Sequence, residues 1–141
     1  MVTINNKTTV DLNPSVIIDF SIKEGSLFLD LINISSVPAI DVGVVFYSKL
    51  MGRNGSKDIS ALPIFQGHTY LAPFKKVSIF VDLLDIFFAD QKAIDSIENP
   101  ANIFNMEIMF KNELGNRFTK TIKYNLNSLN GLPPKSSTSQ V

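Results

Sequence analysis

The chain has no cysteine, no tryptophan and a single histidine, His68, in 141 residues. Without cysteine there is no disulfide, no thiolate nucleophile and no cysteine-ligated metal. A lone histidine would need several carboxylates to complete even a labile metal site, so His68 is read as a solvated loop residue. An excess of charge of either sign is also missing, because 13 basic residues balance 13 acidic ones. That balance removes the electrostatic footprint of a protein that tracks phosphate backbones or anionic membranes, and nucleic acid is not an expected partner. No apolar run approaches the ~20 residues that a helix needs to span a bilayer, so no transmembrane segment is expected. Met1 to Lys7 has neither the basic nor the apolar region of a secretory signal. A native start at Met1 would place the chain in the cytoplasm, and an excised domain would belong to the cell envelope. There is no G-x-S-x-G elbow and no glycine-rich phosphate loop, so no catalytic residue and no cofactor is predicted.

What is present is alternation. Leu27, Leu29 and Leu31 share one side of a first run, and after a break at Pro38 the set Ile40, Val42, Val44 and Phe46 shares one side of a second. Period-2 burial of this kind marks paired strands with one face on a core. Val16, Ile18, Phe20 and Ile22 predict an earlier strand, and Val77, Ile79 and Val81 a later one. Phe104, Met106, Ile108 and Phe110 continue the pattern, followed by Phe118, Ile122, Tyr124 and Leu126, which Lys120 interrupts. The run from Ile59 to Phe65 contains Pro63, which cannot donate to a ladder, and is placed as an edge strand. Asn54-Gly55 marks a tight turn, and Gly115 is placed to take the left-handed conformation in the hairpin loop 112–116. Between Leu83 and Ile97 the period becomes helical, with Asn99-Pro100 as a stop. The prediction is an all-β fold, an antiparallel immunoglobulin-like β-sandwich of about seven strands with one short helix, about 83–97, capping an open end. A barrel is the structural rival. Residues 1–14 form an N-terminal arm, 15–129 the sandwich and 130–141 a disordered Ser/Pro/Gly/Lys-rich tail.

Several motifs, in order, carry a resemblance. Leu29-x-Leu31-x-Asn33-x-Ser35-x-x-Pro38-Ala39-x-Asp41-Val42-x-Val44 resembles the L-x-L-x-N-x-G-x-x-P-A-x-N-V-x-V signature of bacterial and archaeal immunoglobulin-like modules of the cell-adhesion-related type. Tyr70-Leu71-Ala72-Pro73-Phe74 resembles the turn before their middle strand, and Leu114-Gly115-Asn116-Arg117-Phe118 their last hairpin. The similarity spans roughly Pro14 to Leu129. Ser35, Asp41 and Phe74 stand where those modules usually have glycine, asparagine and glycine. The resemblance implies a β-sandwich with no shared catalytic motif and carries over no active-site residue. A fainter similarity is to late-embryogenesis-abundant β-sandwiches.

Candidate residues follow from parity. Asn33 points to the core at a strand end and is read, with Pro38 and Gly115, as part of the structural turns and caps. Ile17, Phe28, Ile32, Ile34, Val45, Tyr47, Phe80, Ile103 and Met109 have the opposite parity, which predicts unusually apolar outer faces. Either the helix and loops cover them, or they form an interface for a protein partner or a homodimer, with Phe28, Ile32, Val45, Tyr47, Phe80 and Met109 as its candidates. Asp82, Asp85, Asp90 and Asp95 cluster near the helix without the spacing of a calcium loop and are read as capping or solvated groups. The glycosylation-like triplets at Asn6, Asn33 and Asn54 and the PDZ-like ending Ser139-Gln140-Val141 are read as incidental. The expected function is a non-catalytic interaction or structural module. The alternative is a lipid- or carbohydrate-binding sandwich, with Tyr47 and Tyr70 as stacking surfaces; an enzyme is least expected.

Overall fold

The computed structural model describes residues 13–94 and 102–129. Most of the expected N-terminal arm, with Asn6, lies outside the described residues. So do Asp95, Ile97, the Asn99-Pro100 stop and the tail with its Ser139-Gln140-Val141 ending. In chain order the strands are β1 (Val16–Lys23), β2 (Ser26–Asn33), β3 (Ala39–Phe46), β4 (Met51–Gly52), β5 (Lys57–Asp58), β6 (Gln66–Leu71) and β7 (Lys76–Leu83). The helix α1 (Leu84–Ile94) follows, and then β8 (Ile103–Lys111) and β9 (Arg117–Asn125). One antiparallel sheet has the order β1-β2-β7 and the other β6-β3-β8-β9, while β4 and β5 form a small separate hairpin. The fold is an all-β sandwich with one helix.

The alternating residues meet between the sheets. Val16, Ile18 and Phe20 of β1 and Leu27, Leu29 and Leu31 of β2 are buried in one cluster with Val42, Val44, Phe104, Met106, Ile108 and Phe110 from the other sheet. Four strands face three, so β9 overhangs, and its inward side chains Phe118, Ile122 and Tyr124 are only partly buried. Lys120 shares their parity, and its ammonium donates to Ser15 Oγ at 3.2 Å across the gap. An inward lysine whose stem lies along apolar surface also discourages another strand from adding to that edge.

Two expectations are corrected. Ile59–Phe65 is not a strand but two successive 3₁₀ turns, Ile59–Ala61 and Pro63–Phe65. Ile59 and Phe65 are buried and Leu62 packs on the core between them, a spacing of three that matches the 3₁₀ repeat rather than alternation. Pro63 opens its turn, where an absent N–H costs nothing. The edge strand is instead β6, which contains His68, placed in a loop from sequence. Its half-buried positions are Gly67 and Thr69, and only Leu71 is a large buried residue, so no apolar alternation announced it.

The second correction concerns β3. Its register against β8 slips between Ile40 and Gly43, and Asp41 takes φ 52°. This bulge switches the buried parity from Ala39 to Val42, leaving Ile40 half-buried rather than inward. Asparagine and aspartate are the residues that tolerate this left-handed geometry, a physical reason for a polar residue at position 41.

The helix closes one end of the sandwich. Phe87 is fully buried, and the Leu84 N–H donates to the Gly25 carbonyl at 2.9 Å, tying the helix start to the β1–β2 turn. Asp82 is buried beside it, with Oδ1 accepting from the Leu83 N–H at 2.8 Å and Oδ2 from the Asn54 N–H at 2.7 Å. Gly52 brings the β4–β5 hairpin onto the edge of β7. A Cβ there would lie 2.1 Å from the Val81 carbonyl oxygen.

Candidate binding surface

Among the described residues the opposite end is open. It gathers the β2–β3 turn, the β6–β7 turn and the β8–β9 loop, together with the start of β1. Two buried asparagines organise it from beneath. The Asn33 side-chain amide donates to the carbonyls of Val37 at 2.8 Å, Leu71 at 3.1 Å and Ala72 at 3.2 Å. Its Oδ1 accepts from the Ser35 N–H at 3.0 Å and the Ser35 hydroxyl at 2.7 Å. Asn112 Oδ1 accepts from the N–H groups of Leu114 at 3.0 Å and Asn116 at 2.9 Å, closing the loop around Gly115, whose φ is 86°. The Phe74 N–H donates to the Ser35 carbonyl at 3.2 Å, joining two of the turns. Val37 and Pro38 share a shallow dip with Asn112, Glu113 and Leu114, joining the third.

Each of the three turns presents one large apolar side chain to solvent: Ile34 is 49% exposed, Phe74 67% and Leu114 82%. Apart from tyrosines, Leu114 and Phe74 are the most exposed large apolar residues among those described. Phe74 follows Pro73 in a turn closed by the Lys75 N–H on the Ala72 carbonyl at 3.0 Å, and has φ 59°. A bulky residue at this glycine-favouring position carries strain of about 1–2 kcal/mol. Glu24 and Arg53 share this left-handed backbone, so what sets Phe74 apart is the exposed aromatic ring that the turn displays.

The six outward residues singled out from sequence do not come together. Phe28, Ile32 and Phe80 lie on the outer face of the three-stranded sheet, half-buried, with the Phe28 and Phe80 rings edge to face at 5.9 Å. Among them sits Asp30, buried, its Oδ1 accepting from the Ser78 hydroxyl at 2.7 Å. Val45, Tyr47 and Met109 lie on the other sheet, where the Tyr47 hydroxyl donates to Glu107 Oε1 at 3.2 Å. That hydrogen bond and the Glu107 charge raise the Tyr47 pKa above its ordinary value. Polar side chains interrupt both faces, so the expected apolar outer patch is divided between two sides of the molecule.

A hollow of about 370 Å³ lies on the four-stranded sheet, lined by His68, Met109, Lys111 and Arg117 among others. Gly43 and Gly67 meet beside it so closely that a Cβ on Gly43 would stand 2.8 Å from the Gly67 Cα. His68 is exposed, and among the described residues no group of three or more histidine, cysteine or carboxylate side chains is placed to hold a metal ion. Both carboxylate oxygens of Asp82 are occupied by backbone N–H groups, but these belong to Leu83 and Asn54, outside α1, so this buried carboxylate ties the β4–β5 hairpin to β7 and neither caps the helix nor meets solvent. Asp85 lies in the first turn of the helix, where a negative charge complements the exposed N–H groups.

Sequence reasoning named Asn33, Pro38 and Gly115 at this end and placed Ile34 outward, but assigned no function to Phe74 or Leu114. The available signals were an aromatic at a turn glycine position and a leucine inside a polar hairpin loop. No family model matches the chain, and neither the curated proteins nor the solved structures contain a match to it.

Proposed function

We propose that this protein is a non-catalytic immunoglobulin-like binding module whose recognition surface is the open loop end. The immunoglobulin-like assignment draws support from the strand order, three strands β1-β2-β7 against four β6-β3-β8-β9, with the chain changing sheets after β2, β6 and β7. It also draws on the motif resemblance from Leu29 to Val44. The observation that carries the binding role is the asymmetry of the two ends. One is closed by α1 and the β4–β5 hairpin, whereas the other displays Ile34, Phe74 and Leu114 on turns fixed at their bases by Asn33 and Asn112. Loops held rigidly on a sandwich lose little freedom on binding, which favours affinity.

The test is capture from lysate and envelope fractions of the source cell with wild type, Leu114→Lys and Tyr47→Lys, each verified as folded by circular dichroism. Loss of the captured material with Leu114→Lys alone supports the loop end. Loss with Tyr47→Lys alone moves recognition to the sheet face, and capture unaffected by either variant overturns the proposed surface.

The hollow beside Gly43 favours a second function, binding of a small ligand, since its size falls within the range of ligand sites and Arg117 suits an acidic group, Lys111 being paired with Asp41 on its rim. Titration of the His68 ring signals by NMR with small carboxylates and sugars would decide it.

A further inference from the structure

We propose that the loop end docks on an anionic lipid surface, with Leu114 and Phe74 entering the headgroup layer, Ile34 following, Lys75 facing lipid phosphates, and Lys76 and Arg117 set behind on the two outer sheet faces, where Lys76 lines a hollow with Phe28 and Ser78 and Arg117 one with Met109. This names the partner of the binding surface described above and rests on that surface being the binding one. The apolar groups are three separate projections rather than a flat patch, and the dip lined by Val37 and Pro38 lies between two of the turns. A rigid protein partner would need a pocket for each projection, whereas a fluid interface closes around each one independently.

The charges are arranged to match. In residues 34–41, 72–77 and 111–117 four cations, Lys75, Lys76, Lys111 and Arg117, stand with two carboxylates, Asp41 and Glu113. Asp41 is already paired with Lys111 at 3.2 Å, which leaves Lys75, Lys76 and Arg117 against Glu113 alone. At the closed end, in residues 23–26, 47–58 and 82–91, four cations stand with five carboxylates. The neutrality of the whole chain, which from composition counts against an anionic surface, thus conceals a locally basic end. Apolar tips with basic residues set behind them combine the two attractions that together hold a peripheral protein on a bilayer. The strained φ of Phe74 is consistent with the same role, because a glycine there would relax the turn and remove the ring.

The experiment is co-sedimentation of the full chain with phosphatidylcholine vesicles, with and without phosphatidylserine. Wild type, Leu114→Ser, Phe74→Gly and the double variant Lys75→Glu/Lys76→Glu are compared, and thermal melts report folding. Wild type is expected to bind only the phosphatidylserine vesicles, and less so as salt is raised. Each apolar truncation should weaken partitioning about tenfold while the protein remains folded. Phe74→Gly keeps the test valid if Leu114→Ser disturbs its loop, because it relaxes the backbone rather than straining it. No sedimentation with phosphatidylserine vesicles, or equal sedimentation of wild type and folded tip variants, overturns the lipid assignment. If vesicles fail while Leu114→Lys still abolishes capture of a soluble protein, the lipid assignment falls and the loop-end binding surface stands.

Discussion

The Asn33 side chain, at the last residue of β2, donates to the carbonyl of Leu71, the last residue of β6 in the opposite sheet, at 3.1 Å. One amide thereby clamps the two layers of the sandwich at the end where they would otherwise splay. Replacing it with alanine leaves the Val37, Leu71 and Ala72 carbonyls and the Ser35 N–H without this partner in a partly buried setting. Asn33→Ala is expected to cost about 3 kcal/mol, read as a lower urea midpoint at unchanged slope. Asn33→Asp should be no better, because a carboxylate cannot donate to the three carbonyls.

Asp41 and Phe74 both occupy left-handed backbone, at φ 52° and 59°. Asp41→Asn should be nearly neutral, whereas Asp41→Val should destabilise by about 1–2 kcal/mol, because a β-branched side chain cannot relax there. Phe74→Gly should stabilise. Relief of about 1–2 kcal/mol of strain exceeds the roughly 0.5–1 kcal/mol of added chain entropy in the unfolded state. Differential scanning calorimetry of the three variants gives the signs directly.

Gly52 leaves no space for a side chain beside the Val81 carbonyl. Gly52→Ala is expected to cost more than about 2 kcal/mol or to displace the hairpin from β7. The Arg53 N–H, bonded to the Val81 carbonyl at 2.9 Å, and the Asn54 N–H on Asp82 should then lose hydrogen-exchange protection before the rest of the sheet.

The Tyr124 hydroxyl donates to Asp19 Oδ1 at 2.9 Å, and its pKa lies above the ordinary 10.0, first through burial and then through the Asp19 hydrogen bond and charge. The folded state therefore holds a proton that the unfolded chain releases more readily. The resulting stability is complete below the unfolded tyrosine pKa and lost as pH rises through the higher folded one. Wild type should lose its advantage over Tyr124→Phe as pH rises above the ordinary tyrosine value of 10.0 in denaturant titrations.

Strands with a large apolar residue at every second position were readable from the chain: β1, β2, β7, β8 and most of β9. Asn33 was readable too, since an asparagine on core parity must find partners. What escaped reading escaped for physical reasons. β6 places half-buried glycine and threonine where an ordinary strand buries leucine, and Ile59, Leu62 and Phe65 repeat every third residue. The bulge at Asp41 moves the buried register by one, which alternation counted from Ile40 cannot reveal. The candidate surface was the least visible part. Exposure of Ile34, Phe74 and Leu114 depends on which turns share an end of the sandwich, a property of topology rather than of any local pattern. Parity counting could name outward residues, but it could not say that Phe28 and Tyr47 face away from each other.

Because β9 runs away from the loop end for nine residues, the backbone at Asn125 stands off from the Leu114 tip by roughly 30 Å. The start of β1, in contrast, lies among the tips, with Ser15 accepting from the Ile34 N–H at 2.8 Å. A label or bead attached at Asn125 therefore holds the three side chains outward and unobstructed. The same attachment at Ser15 competes for the space they occupy, so the position of the tether should determine whether an immobilised sample registers binding.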